Sequence, residues 1–271
     1  MVRLDFGGDY RVGMSVALGA TWNPRGEEAR LVGLWPRLSA VYDRVVICLP
    51  PQVGQEKALA LQKELDAQVE VMEDWQAGRY RALRGAAQAG ADFIHYADMD
   101  RLLRWVETRP AEWLATLAAI QKTDCLVIGR TAAAYATHPQ ALVQTEAIPN
   151  RLFSSLFGQP LDLSAGSKGF SRAAAEFILA HSAPVRSLGT DAEWPVLCHR
   201  GGFRVASCLV DGLDWESADR YRSQAADAGL QRQAALAYDQ DAAHWAWRVQ
   251  VADEIVQAGM EAWTKRLKAE G

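Results

Sequence analysis

At 271 residues and 29.8 kDa the chain is large for one domain but within reach of a single α/β unit carrying an appendage. Its 49% hydrophobic and 23% charged content excludes a disordered, collagen-like or coiled-coil chain, and 29 basic against 33 acidic residues, a net charge of −4, lack the basic excess of a nucleic-acid footprint. No apolar run approaches the ~20 residues of a membrane helix, and the opening Met1-Val-Arg-Leu-Asp-Phe-Gly-Gly-Asp has no apolar leader, so the expected compartment is the cytoplasm.

In chain order, the apolar run from Met14 to Ala20 predicts a strand buried on both faces. Asn23-Pro24 offers a helix start, followed by Leu31, Leu34, Trp35, Leu38, Val41 and Tyr42 at helical spacing across Pro36. A second strand is expected at Arg44 to Leu49, stopped by Pro50-Pro51, then a helix from Glu56 to Leu65 and a short strand from Val69 to Met72. The next helix should span about Gly78 to Ala89, before a fourth strand from Asp92 to Ala97. Strand–helix units of this length cannot close as hairpins, so they imply right-handed crossovers and a mostly parallel sheet flanked by helices, a Rossmann-type arrangement. A helix carrying Trp105 and Trp113 and a strand from Asp124 to Gly129 follow. Pro139, Pro149 and Pro160 then punctuate short helices or loops. Helices at Ser171 to His181 and Asp191 to Arg200 and a strand at Phe203 to Val210 complete a domain of residues 1–217, and residues 218–271 read as a helical extension.

The four cysteines, Cys48, Cys125, Cys198 and Cys208, are far apart and three sit in apolar segments, which suits buried thiols. The informative stretch is Gly90-Ala-Asp-Phe-Ile-His-Tyr-Ala-Asp-Met-Asp-Arg, where a buried strand runs into Asp98 and Asp100. Ligands of open parallel sheets bind at the carboxyl ends of strands. If the end is extended, both carboxylates face one site and suit a hard divalent ion bearing phosphates; alternatively they form an acidic loop capping the next helix. Arg79, Arg81 and Arg84 lie on the preceding helix, with Arg81 and Arg84 placed near a bound diphosphate or on a solvated face.

The order of motifs resembles that of the family-2-type nucleotide-sugar glycosyltransferases with a GT-A-like fold. The likeness rests on Ala20-Thr-Trp-Asn-Pro-Arg-Gly-Glu-Glu, on the run from Gly78 to the Asp98-Met-Asp100 triplet, on Ser164-Ala-Gly-Ser-Lys-Gly-Phe-Ser-Arg, and on Gly189-Thr-Asp-Ala-Glu-Trp-Pro through Gly201-Gly-Phe-Arg-Val. It covers roughly residues 14 to 212. The resemblance implies a nucleotide-diphosphate sugar donor, a hydroxyl acceptor, and Mn²⁺ or Mg²⁺ at Asp98 and Asp100, with Asp100 the direct ligand. It places Asp191 as the base deprotonating the acceptor hydroxyl, with Glu193 the alternative, in a displacement that inverts the anomeric centre. Gly166 and Lys168 would approach the donor phosphates, or else only shape a turn before the next helix.

Two departures from the pattern are visible. Where the family ends its second strand in a base-reading Asp-Asp-Gly-Ser, this chain has Leu49-Pro-Pro-Gln-Val-Gly, so base recognition differs or is absent; Asp74, at the end of the third strand, either contacts the base instead or belongs with Glu73 to a loop. Arg101 sets a fixed charge beside the acidic triplet, replacing part of a metal's charge or pairing with Asp98 or Asp100. Among ten tryptophans, Trp35 and Trp113 are assigned to the core and Trp194 and Trp215 to an acceptor pocket. His95, His199 and His244 lack metal-site spacing and read as structural. Two other readings stand beside transfer: a GT-A-like protein that binds sugar nucleotides without catalysis, and a sugar-1-phosphate nucleotidyltransferase, which would need a Gly-rich basic loop where Gly19-Ala-Thr-Trp-Asn-Pro-Arg stands.

Overall fold

A computed structural model describes residues 14–266; the opening residues read above for an apolar leader lie outside it. Seven strands form one sheet: β1 (Val16–Thr21), β2 (Arg44–Leu49), β3 (Gln68–Val71), β4 (Phe93–Asp98), β5 (Cys125–Arg130), β6 (Ser167–Ser171) and β7 (Val205–Val210). Their order is β3-β2-β1-β4-β6-β5-β7, parallel throughout except β6, which runs antiparallel between β4 and β5. Because β1, β2 and β5 are apolar and buried on both faces, helices must cover both sides.

Eleven α-helices among the described residues do so: α1 (Glu28–Ser39), α2 (Gln55–Leu65), α3 (Gly78–Gln88), α4 (Met99–Thr108), α5 (Pro110–Ile120), α6 (Ala132–Tyr135), α7 (Gln140–Phe157), α8 (Arg172–His181), α9 (Thr190–Arg200), α10 (Ala228–Asp239) and α11 (Ala242–Thr264). The carboxy-terminal α11 packs on α7 and α9, and a satellite core forms there around Phe153, Leu197 and Ile255. None of the described helices is long and apolar enough to cross a membrane. The four cysteines are free thiols, three of them buried.

Several elements differ from the sequence expectation. Helix α1 begins at Glu28 rather than beside Asn23-Pro24, because Gly26 takes a φ of +89° against the Tyr221 backbone and holds residues 22–27 as a loop. The helix expected to carry both Trp105 and Trp113 is divided at Arg109-Pro110, where proline opens α5. Pro149 lies inside the 18-residue α7 instead of ending a short helix. The Ser164–Gly169 region is a 3₁₀ turn (Leu163–Ala165) leading into a strand, β6, and not only a turn before the next helix. Its serine, lysine and glycine have low strand propensity, but Gly169 leaves the space that the Ile120 side chain fills.

Trp113 is in the core as expected, and Trp35 packs against it partly exposed. A buried polar chain crosses the sheet: Trp113 Nε1 donates to the Tyr42 hydroxyl at 3.0 Å, which lies 2.6 Å from His95 Nδ1, while His95 Nε2 is 2.8 Å from Ser167 Oγ. Burial pushes the His95 imidazole down to about 3, so it is neutral. Replacing Tyr42 by phenylalanine strands two buried nitrogens and is expected to cost about 1–3 kcal/mol. Denaturant unfolding checks this; an unchanged midpoint would show that the chain is not a stabilising network.

Candidate functional site

The carboxyl ends of β1, β3 and β4 open onto a cleft of about 360 Å³, and the loop after β7 together with α10 and α11 forms its opposite wall. Asp98 closes β4, and Asp100 lies in the first turn of α4, so the two carboxylates are not on one extended end; both nevertheless line this cleft. Asp98 is firmly held. Its Oδ1 accepts from Thr21 Oγ1 at 3.1 Å and the Tyr96 hydroxyl at 2.9 Å, and its Oδ2 accepts from Arg79 Nη2 at 3.0 Å. Its backbone N–H donates to Gly166 O at 2.9 Å.

Gly166 explains that approach. It has φ +68°, and a Cβ there would collide with the Asp98 carboxylate. Gly166 thus admits Asp98, and it is not among the residues that line the cleft. Gly166→Ala is therefore expected to displace Asp98, lower stability by about 1–2 kcal/mol and weaken any ligand that uses this end of the cleft. Thermal unfolding together with nucleotide titration checks both effects; an alanine variant matching the wild type in each would contradict the packing argument.

Arg79, on α3, is the central cation. Besides Asp98 it reaches Asp191 through Nη1 at 2.9 Å and Thr190 Oγ1 at 3.4 Å, and it lies over the Tyr96 ring. Arg81, two residues on, is exposed on the solvent face of α3 and does not line the cleft; at a helical rotation of ~100° per residue only one of the two can point inward.

Asp191, expected as the catalytic base, is buried in the first turn of α9 and accepts from Lys168 Nζ at 2.6 Å as well as from Arg79. Burial opposes its charge, but the two cations outweigh burial and hold its carboxyl below the ordinary aspartate value. Lys168 is 1% exposed on β6 and spends its ammonium on Asp191 and Leu163 O at 3.0 Å, so it does not reach the cleft. Glu193 points elsewhere, accepting from Ser182 Oγ at 2.5 Å and Arg186 Nε at 3.1 Å. Trp194 is sealed in the core, edge-on to Tyr96 and Phe170, with its Nε1 donating to Ser182 Oγ at 3.3 Å; it is a packing residue, not an acceptor contact. Trp215, by contrast, does line the cleft. Asp74 is exposed and caps the 3₁₀ turn Trp75–Ala77 by accepting from Gln76 N at 2.9 Å. The neighbouring Trp75, 38% exposed, is the residue of that turn that lines the cleft.

Of the three carboxylates lining the cleft, Asp100 and Glu216 each keep one oxygen without a hydrogen-bond donor. Asp100 accepts only from the Arg101 N–H, through Oδ1 at 2.9 Å. Burial first, and then the charges of Glu216 and Asp98, push its carboxyl up to about 7. Glu216 lies in the 3₁₀ turn Glu216–Asp219 after β7; its Oε2 is buried without a hydrogen-bond partner, and Arg101 Nε stands 3.7 Å away. Arg101 thus turns from the acidic triplet toward Glu216, with its Nη1 donating to Ser164 O at 3.3 Å. No group of three or more metal-ligating side chains is arranged for an ion among the described residues. A hard divalent cation nevertheless fits the Asp100–Glu216 pair: both offer open oxygens, one buried and orphaned, and such an ion takes only one or two carboxylates when phosphates complete its shell. Asp98, tied to Arg79, is the less available of the two predicted ligands.

Sequence reasoning missed Glu216, Arg220, Tyr238, Trp247 and Arg248, all on the cleft wall. Glu216 carried a usable signal, since it follows the carboxyl end of a predicted strand, where ligands bind. The residues of α10 and α11 carried none.

Among solved structures, glucosyl-3-phosphoglycerate synthase of Mycobacterium tuberculosis superposes with a TM-score of 0.51 at 10% identity, covering 95% of this chain and 84% of that one. The same enzyme crystallised with Mn²⁺, uridine-diphosphate-glucose and phosphoglyceric acid gives a TM-score of 0.49 at 11% identity, covering 95% and 82%. No protein-family model matches this chain, and no curated protein does. The first superposition, with the sheet order above, establishes the fold as GT-A-like.

Proposed function

We propose that this GT-A-like chain is a glycosyltransferase that moves a sugar from a nucleotide-diphosphate donor to a hydroxyl acceptor. The observation that carries the reading is the pair of open carboxylates, Asp100 and Glu216, set beside arginines at the carboxyl ends of parallel strands. That end of such a sheet receives the ligand, and the donor set suits Mn²⁺ or Mg²⁺ with a diphosphate. Asp100 and Glu216 would hold the ion, whose chemistry is to stabilise charge on the departing diphosphate. The like-folded synthase is named for a glucosylated product, which supports the same reaction class.

In this reading Trp75 offers the nucleobase a stacking face in place of the absent Asp-Asp-Gly-Ser, and Asp74 acts by capping the turn that carries it. Arg79 orients Asp98, and Asp191 with Lys168 holds Arg79 in place, so Asp191 is a positioning residue. A base for an inverting displacement must come within hydrogen-bond reach of the acceptor hydroxyl, and neither Asp191 nor Glu193, both enclosed on partners of the interior, lines the cleft. In this reading the described residues up to 217 make the donor domain, and residues 218–266 complete the acceptor side. The cytoplasm suits the free thiols.

One observation favours the second reading, binding without transfer: Asp191 and Glu193 are both enclosed and away from the cleft. Incubation with a panel of nucleotide-diphosphate sugars and Mn²⁺ separates the two. Transferase activity predicts slow release of the nucleoside diphosphate through transfer to water, accelerated by hydroxyl compounds. A donor that binds yet stays intact with every acceptor would contradict it.

A further inference from the structure

Glu216 is weakly held by its own contacts. Its Oε1 accepts from Ser217 Oγ at 3.3 Å, and Arg101 Nε stands 3.7 Å from Oε2. The segment that carries it, residues 211–227 between β7 and α10, contains no strand or α-helix, so side chains from outside must fix its course.

Those side chains come mostly from α4, the helix that bears Asp100 in its first turn. At the entry to the segment, Glu112 of α5 accepts from the Asp211 and Gly212 N–H groups and from Trp105 Nε1 of α4, each at 2.8 Å. Gly212 passes directly over Trp105, since a Cβ there would stand 1.7 Å from the indole ring. At the exit, the Ala225 N–H donates to Glu107 of α4 at 2.9 Å. Between these two fastenings lies Arg104 of α4, with its side chain 4% exposed. Its Nε and Nη2 grip Asp214 as a fork at 2.5 and 2.9 Å, its Nη1 donates to Asp219 at 2.7 Å, and Nη1 and Nη2 each donate to Ala226 O at 3.2 Å. Asp214 stands two residues before Glu216 and Asp219 three after it, so one guanidinium clasps the segment on both sides of that carboxylate. These bonds use every N–H of the side chain, and no other residue type has a planar fork with that many donors.

Arg104 follows Asp100 by four positions on α4, a spacing that puts two side chains on one helix face. Both cleft carboxylates with an open oxygen are therefore carried by α4, Asp100 directly and Glu216 through the clasp.

We propose that Arg104 is a positioning residue for the cation: it fixes Glu216 relative to Asp100, so that the pair is ready for a divalent ion before the ion arrives. This rests on the reading of Asp100 and Glu216 as the ion's carboxylates and adds the group that sets their relation. Groups that orient a metal's ligands in this way are commonly worth roughly 10- to 100-fold in metal affinity.

Electron paramagnetic resonance of Mn²⁺, titrated into the full chain alone and with each common nucleoside diphosphate, tests the proposal. Arg104→Lys keeps a cation but has too few donors to clasp both carboxylates, and Asp214→Asn keeps the shape while loosening the segment just before Glu216. Each should weaken Mn²⁺ by roughly tenfold while metal-free nucleotide affinity stays within about twofold. Should Arg104→Lys fail to fold in a thermal scan, Asp214→Asn carries the same expectation alone. Tyr42→Phe, which loses stability far from the cleft, should leave Mn²⁺ affinity within about twofold of the wild type. Folded Arg104→Lys and Asp214→Asn variants that bind Mn²⁺ normally, when Asp100→Asn does not, would overturn the proposal and leave the metal reading standing. Equal weakening in Tyr42→Phe would also overturn it, by assigning the effect to lost stability. A wild type that takes up no Mn²⁺ under any of these conditions would overturn the metal reading and the proposal together.

Discussion

Exchanging Arg79 for methionine is expected to lower stability by about 3–5 kcal/mol and to abolish nucleotide binding, the largest effect of any single change at the cleft. The side chain is 8% exposed and serves two carboxylates, so its removal leaves the buried Asp191 and the half-buried Asp98 with diminished compensation. Lys168 still faces Asp191, and Thr21 and Tyr96 still face Asp98, which is why the fold is expected to persist. The pH dependence has a definite sign. The folded-state carboxyl of Asp191 lies below its unfolded value, so its stabilising contribution is present above the ordinary aspartate range near 4 and is lost as pH falls through the folded-state value. Wild type and Arg79→Met should therefore differ most at neutral pH and converge in acid. Chemical denaturation at several pH values checks this; a constant difference would mean that the arginine contributes packing rather than charge.

Asp100→Asn is expected to separate stability from binding. Asp100 is crowded by Glu216 and Asp98, so removing its charge should raise the stability of the ligand-free protein by about 1–2 kcal/mol while removing the metal dependence of nucleotide binding. A loss of stability would show that the carboxylate is structurally required, and persisting metal dependence would exclude it as a ligand. A residue that costs the fold energy yet lies in the cleft is the pattern expected of a functional group.

The parallel half of the sheet was legible because β1, β2, β4 and β5 are short apolar runs separated by helical periodicity, and that pattern has few alternatives. The antiparallel β6 was not, since Ser167-Lys-Gly-Phe-Ser owes its strand state to neighbours on both sides rather than to its own preference. The acidic triplet located the cleft but not the use of its members: whether Asp98 is free depends on Arg79 of another helix, a contact between residues 19 positions apart. Lys168 and Asp191, read separately as a phosphate contact and a base, neutralise each other in the interior. Nothing in the Ala- and Gln-rich tail set Arg248 or Trp247 apart, because an arginine or tryptophan on a helix has the same local signature whether it faces a cleft or solvent.

The central claim, that this cleft binds a nucleotide diphosphate with a divalent cation, is tested most directly by thermal unfolding against nucleoside diphosphates and their sugars, each with and without Mn²⁺ or Mg²⁺. A ligand that binds the native state raises the midpoint by mass action. The account predicts a shift with one nucleotide class that requires the metal in the wild type and loses that requirement in Asp100→Asn. A midpoint unmoved by every nucleotide, with or without metal, would contradict it.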